Sequence, residues 1–180
     1  MASIIFFLCV ALLSSAFAQG GSTFSDCGGA DKSIAFKDGS VKPDPVQYPG
    51  NLSLSGVMKV LKGLPASDLE LKFDFFKLDP TRTKIPCLYD FGSCSYDACE
   101  MIETHRSEIC PLFPDPDECG CPVEAGLYNV KDAQLALPDL GEAFAELLQG
   151  HYEGNITLID KDSNTELGCC AISFEVVPSS

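Results

Sequence analysis

The sequence predicts an all-β fold, a two-sheet antiparallel sandwich. Segments that alternate apolar and polar residues recur along the chain, Pro- and Gly-rich turns separate them, and helical patterning is confined to two short stretches. The chain has 180 residues, 46% hydrophobic and 21% charged, which is the balance of a globular protein with a buried core. Disordered and fibrous classes are excluded.

From the N-terminus, residues 1–18 are expected to be a secretory signal peptide. An apolar run from Ile4 to Phe17 ends in Ala16-Phe17-Ala18, the small-x-small pattern at which signal peptidase cuts. The run is too short to span a bilayer, and no second run of that length follows. Residues 19–180 are then a single domain.

Short strands are expected at residues 34–36 and 57–61. Asn51-Leu52-Ser53-Leu54-Ser55 alternates and turns Leu52 and Leu54 inward. Leu69-Glu70-Leu71-Lys72-Phe73-Asp74-Phe75 alternates without a fault, so Leu69, Leu71, Phe73 and Phe75 share the core face. Further short strands are expected at residues 127–130 and 134–137. The segment 152–158 places Ile156 and Leu158 inward. The last strand, residues 169–177, sets Cys170, Ile172, Phe174 and Val176 on one face and Cys169, Ala171, Ser173 and Glu175 on the other. Pro43-Asp44-Pro45, Tyr48-Pro49-Gly50, Leu64-Pro65, Asp79-Pro80 and the Pro-rich residues 111–116 are the turns. Helix is expected only within residues 96–106 and over residues 140–149, the second stopped by Gly150.

The charge is one-sided: 26 Asp and Glu against 12 Lys and Arg give −14 at pH 7. Such a field repels phosphate backbones, so nucleic acid is not an expected partner. Carboxylates protonate towards roughly pH 4. Association with a membrane surface is therefore expected to strengthen in an acidic compartment.

Ten cysteines are present, and cleavage of the signal peptide removes Cys9. The remaining nine read as four disulfides and one leftover thiol in an oxidising compartment, with the pairing left open by spacing alone. Cys119-Gly120-Cys121 lacks the second Cys pair or the His of a structural zinc site, so no metal ligand set and no cofactor are expected. Two sequons, Asn51-Leu52-Ser53 and Asn155-Ile156-Thr157, put Asn on the polar face of its strand, where a glycan sits in solvent.

Catalytic patterns are weak. Cys170 with His105 or His151 is the best nucleophile–base pair, but strand phase turns Cys170 into the apolar layer, where a thiol stays protonated. G-x-S-x-G, H-E-x-x-H and Gly-rich phosphate loops do not occur. Asp160 to Glu166 resembles the start of an EF-hand loop but has Thr165 where the loop needs Gly and Ala171 where it needs Glu, so a polar hairpin turn is expected. The acidic run Asp115-Pro116-Asp117-Glu118 reads as an exposed loop. No catalytic residue is assigned.

Several segments in order are similar to one family. They are Phe24-Ser25-Asp26-Cys27, Pro43-Asp44-Pro45, Pro49-Gly50-Asn51-Leu52-Ser53-Leu54-Ser55, Lys84-Ile85-Pro86-Cys87 and Gly92-Ser93-Cys94. Cys119-Gly120-Cys121-Pro122, Gly126-x-Tyr128, Leu137-Pro138-Asp139-Leu140, Gly150-x-Tyr152 and Leu167-Gly168-Cys169 follow. The ordered set, which spans nearly all of residues 19–180, resembles the ganglioside activators, lysosomal sphingolipid activators of the ML (lipid-recognition) domain family. The resemblance implies an immunoglobulin-like sandwich opened into a lipid-holding β-cup, stapled by disulfides and carrying one or two short helices. It implies the pairs Cys27–Cys169, Cys87–Cys94, Cys99–Cys121 and Cys110–Cys119, with Cys170 free.

The function implied is non-enzymatic. The protein extracts a glycosphingolipid, or another two-chain lipid, and presents it to a lysosomal hexosaminidase-type glycosidase. The cavity is expected to be lined by Leu52, Leu54, Leu71, Phe73, Phe75, Ile156, Leu158, Ile172 and Phe174. Where relatives carry an apolar, Trp-containing loop, this chain has the polar Leu78-Asp79-Pro80-Thr81-Arg82-Thr83-Lys84. Phe144, Leu147 and Leu148 are therefore the expected apolar membrane-facing group, with Arg82 and Lys84 available to an anionic headgroup. The expected location is the secretory pathway, ending in the lysosomal lumen or outside the cell. The alternatives are a carrier or sensor of a sterol or phospholipid without an enzyme partner, a disulfide-stapled hydrolase, and a structural module with a filled core.

Overall fold

The computed structural model describes residues 21–88, 92–110, 113, 115–137, 139 and 141–179; the expected signal peptide lies outside them. The strands are β1 (Thr23–Asp26), β2 (Ile34–Lys42), β3 (Val46–Tyr48), β4 (Gly50–Val60), β5 (Leu69–Lys77), β6 (Thr83–Lys84), β7 (Ser95–Asp97), β8 (Gly126–Leu137), β9 (Gly150–Asp160) and β10 (Thr165–Pro178). The helices are α1 (Ala98–Thr104), α2 (Arg106–Ile109) and α3 (Glu142–Leu148).

The strands form two sheets, the sandwich expected from the alternation. The first has the order β1-β10-β9-β5-β6, with β3 also on β10 and β7 on β5; the second is β2-β4-β8. All pairings are antiparallel except β3 on β10. β1 packs on β2 along one long side. α2 lies against β8 and α3 against β10.

Two pairs of expected short strands are each one long strand. Residues 51–55 and 57–61 merge into β4, and residues 127–130 and 134–137 into β8. The chain passes Lys131-Asp132 as a bulge rather than a turn. Register shifts between Leu54 and Gly56, Asp132 takes φ +49°, and its N–H donates to the Ser55 hydroxyl at 2.9 Å. A bulge leaves the extra residue unpaired while the ladder continues on both sides. The Asp132 carboxylate also accepts from Ser53 and Ser55, which fixes that geometry.

The β9–β10 turn is a polar hairpin in which the Asp160 carboxylate accepts from the N–H groups of Asp162 and Ser163 at 3.0 and 3.3 Å. α1 is capped by Asp97, whose carboxylate accepts from the N–H groups of Cys99 and Glu100. Disulfides join Cys27–Cys169, Cys87–Cys94, Cys99–Cys121 and Cys110–Cys119, and Cys170 is a buried free thiol. Among the described residues, no helix is long and apolar enough to cross a membrane.

Candidate functional site

The apolar interior is split. One buried cluster joins Ile34, Val60, Leu64, Leu69, Ala98, Val123, Tyr128 and Leu158 at the disulfide-rich end. A second joins Val41, Val46, Tyr48, Leu52, Tyr152 and Val176 at the end covered by α3. A packed domain of this size ordinarily has one contiguous core. Here strand register shows what separates the clusters. Across the inner face of the first sheet, Leu71 lies opposite Leu158, Phe73 opposite Ile156, Phe75 opposite Gly154 and Lys77 opposite Tyr152. Continuing onto β10 and β1, Ile156 meets Cys170 and Asp26, while Gly154 meets Ile172 and Phe24. The two middle rows are the waist of the molecule. Leu158 and Tyr152, which belong to the clusters on either side of it, are about 20 Å apart along the strand.

Among the described residues, Phe73, Phe75, Ile156 and Ile172 are half-buried and packed into neither cluster. Phe36, Met58 and Leu71 border the waist from the disulfide-rich end, and Phe24, Leu54 and Phe174 from the other. The aromatic rings form a ribbon. Tyr96 meets Phe73 edge-on at 5.7 Å, Phe73 stacks with Phe75 at 6.0 Å, and Phe75 meets Phe174 edge-on at 6.5 Å. Phe174 in turn stacks with Tyr152 at 5.4 Å. Gly154 makes room for it: a Cβ there would come within 2.3 Å of Phe75 Cδ1, so only Gly lets that ring lie across β9.

Of the nine residues expected to line a cavity, seven are therefore half-buried along this face or its partner sheet: Leu54, Leu71, Phe73, Phe75, Ile156, Ile172 and Phe174. Leu52 and Leu158 are 9% and 8% exposed and belong to the end clusters. Phe36, Met58, Phe24 and Gly154 were not singled out in the sequence. Phase along residues 34–36 and 57–61 was the available signal for the first two, and a Gly interrupting an alternating strand was the signal for the last.

The electrostatics of the interior are closed. Asp26 is pulled up by burial, yet the Lys32 ammonium at 2.7 Å and the N–H groups of Phe36 and Gly28 hold its carboxyl below the usual range. These bonds tie β1 to β2. Burial, with the Asp26 charge beside it, pushes the Cys170 thiol up, so it stays protonated at neutral pH. Burial pushes the Tyr152 phenol up to about 12, and it donates to the Leu148 carbonyl at 2.6 Å.

Two of the groups expected to face a membrane, Leu147 and Leu148, lie on α3. Lys77, which pairs with Thr83 on β6, donates to the Leu147 carbonyl at 2.7 Å and lies 5.9 Å from the Tyr152 ring centre. Leu147 is 66% exposed, whereas Leu148 packs on the buried cluster beneath α3. The side chain of Phe144 lies outside the described residues. Arg82 and Lys84 are held in pairs, Arg82 with Glu153 at 2.6 Å and Lys84 with Asp74 at 2.5 Å. His151 sits beside them, its Nδ1 2.8 Å from the Asp79 carboxylate and its Nε2 3.8 Å from Glu175. His105, at the α1–α2 junction, is exposed and far along the chain from this group. Asn51 and Asn155 are both exposed on outer faces.

The chain is 30% identical over 161 residues to mouse Ganglioside GM2 activator, covering 86% of this chain and 81% of that one. It is 28% identical over 162 residues to Ganglioside GM2 activator from Macaca fascicularis, covering 86% and 82%. Among solved structures, a Niemann-Pick type C2 protein from Japanese carpenter ant matches with a TM-score of 0.44 at 16% identity, covering 86% of this chain and 98% of that one. The ML domain pattern (E1_DerP2_DerF2) matches residues 21–176, and the chain belongs to the ML domain family.

Proposed function

We propose that this protein takes the acyl chains of a membrane glycosphingolipid between its sheets and presents the headgroup to a lysosomal hexosaminidase-type glycosidase, performing no chemistry itself. The observation that carries this reading is the divided core, with half-buried Phe73, Phe75, Ile156 and Ile172 between two closed ends. Apolar side chains left part-exposed between two sheets are stabilised when a guest covers them. Each CH₂ of that guest moved out of water contributes about 0.8 kcal/mol. The names of the relatives, Ganglioside GM2 activator, support the same reading. So does the protonated, inward-facing Cys170, which is unsuited to act as a nucleophile.

The protein enters the secretory pathway through residues 1–18 and works in the lysosomal lumen or outside the cell. It meets the membrane with α3, where Leu147 projects. Vesicle association strengthens as the pH falls from 7 to about 4.5, because protonating carboxylates reduces the −14 charge.

The test is native mass spectrometry of the secreted protein with extraction and identification of its lipid. It is paired with hexosaminidase turnover of a glycosphingolipid held in vesicles at acidic pH. A stoichiometric two-chain glycolipid and a rise in turnover on adding the protein are expected. A bound sterol or phospholipid with no effect on turnover would replace this function with that of a carrier. No lipid after loading at acidic pH would end both readings.

A further inference from the structure

The outer face of the first sheet, away from the aromatic ribbon, carries a depression of about 310 Å³. Its floor is made by small side chains, Ala171 and Ser173 on β10 with Thr23 and Ser25 on β1. Register sets Asn155, Ala171 and Ser25 in one row across three strands, and Glu153, Ser173 and Thr23 in the next. Two interstrand spacings make this shelf about 10 Å wide, from β9 to the edge strand β1. The wall on the other side is Phe76, with the Arg82 guanidinium carbon 3.5 Å above its ring centre. The Nε of Arg82 donates to Glu153, so the guanidinium is fixed in place.

Outward faces of antiparallel sheets usually carry longer polar side chains in contact with water. Here bare backbone is left beside an exposed Asn that opens Asn155-Ile156-Thr157. We infer that the N-linked glycan of Asn155 folds back onto the sheet and fills this depression. A pyranose ring has an apolar C–H face and a rim of hydroxyls. The face lies over Ala171 and the exposed backbone, while the rim meets the hydroxyls of Ser173, Ser25 and Thr23 and the terminal amino groups of Arg82. The inference rests on the register and the shelf, and stands apart from the lipid reading. Asn51 lies on β4 of the other sheet, opposite Ala136, and serves as an internal reference.

The experiment uses the full chain secreted as a glycoprotein from mammalian cells. Site-resolved glycopeptide mass spectrometry reports occupancy, and digestion of the folded protein with a peptide-N-glycosidase reports accessibility. Asn155 is expected to be occupied. Its glycan must leave the shelf before the enzyme can act, so it is released about tenfold more slowly than the glycan of Asn51. Ala171→Phe, which fills the shelf, and Phe76→Ala, which removes the wall, each bring the two rates together while leaving the Asn51 rate unchanged. An unoccupied Asn155, equal rates in the parent protein, or a difference in rate that survives both substitutions would overturn the inference. The rates in the parent protein decide the matter even where a variant is not secreted.

Discussion

Ile156→Ala is expected to cost much less stability than Leu69→Ala, although the two substitutions delete the same number of carbons from isomeric side chains on neighbouring paired strands. Leu69 is 1% exposed inside the cluster at the disulfide-rich end. Truncation there leaves a void walled on all sides, at a cost of about 3–5 kcal/mol. Ile156 is half-buried in the waist and packed into neither cluster. Three methylene-sized groups are worth about 2.4 kcal/mol when fully buried, so half burial leaves about 1 kcal/mol. In the proposed function no cavity term is added, because the deleted atoms border the space that a guest occupies.

For a domain of this size these costs correspond to a fall in Tm of about 2–4 °C for Ile156→Ala and about 6–20 °C for Leu69→Ala. The assay is thermal unfolding of the delipidated protein at pH 7 with its disulfides intact. Loading with lipid should then separate the sites in the opposite sense. Ile156→Ala loses affinity by shedding contacts with the acyl chain, whereas folded Leu69→Ala does not. Equal destabilisation at the two positions would mean that the waist is filled by protein, and the reasoning from the divided core would fail.

Three further substitutions probe the same design. Gly154→Val places a Cβ where Phe75 Cδ1 would be 2.3 Å away and the Asp74 carbonyl 2.8 Å away. Phe75 is displaced towards the second sheet at a cost of about 1–3 kcal/mol, and native mass spectrometry should show less lipid per chain than in Ile156→Ala. Asp26→Asn removes the charge paired with Lys32 and weakens the link from β1 to β2, at a cost of about 1–3 kcal/mol at pH 7. The folded-state pKa of Asp26 is depressed, so its contribution is present above the unfolded value of about 3.9 and lost as the pH falls through the folded value. Urea midpoints should therefore differ between variant and parent at pH 7 and pH 5, and the difference should shrink as the pH is taken progressively below the unfolded value. Tyr152→Phe removes the 2.6 Å bond to the Leu148 carbonyl. It should lower stability by about 1 kcal/mol and speed amide exchange across α3 several-fold, with β5 unchanged.

What was legible in the sequence was whatever local alternation encodes. The strand from Leu69 to Phe75 and the two faces of residues 169–177 follow directly from a period of two, as does the separation of Asn155 from Ile156 onto opposite faces. β1, β3, β6 and β7 carry no such signal, because two to four residues are too few to show a period and become a strand only through their pairing partners. Lys131-Asp132 read as a break between strands because a bulge and a turn draw on the same polar residues; the Ser55 hydroxyl that stabilises the bulge lies on another strand. The divided core was out of reach for a deeper reason. A fully buried inward residue and a half-buried one obey the same alternation, so Leu52, which is buried, and Leu54, which is half-buried at the border of the waist, look alike in sequence.

The two ends of the sandwich are held by different forces, and that difference bears on how a guest would enter. At one end Cys99–Cys121 encloses Cys110–Cys119, and Cys27–Cys169 ties the start of the chain to β10. A closed loop of 15 residues removes about 3 kcal/mol of chain freedom from the unfolded state, and longer loops remove more. Such crosslinks offset what an interrupted core fails to supply. At the other end α3 is held by the hydrogen bonds of Lys77 and Tyr152 to Leu147 and Leu148, together with the apolar contacts of Ala145 and Leu148. Bonds of this kind contribute about 1 kcal/mol each. Local opening therefore costs less at α3 than at the disulfide-rich end, since opening free energies follow the contacts that have to break. In the proposed function an acyl chain passes between bilayer and waist at the end that opens most readily, which is also the end where Leu147 is exposed to meet the membrane.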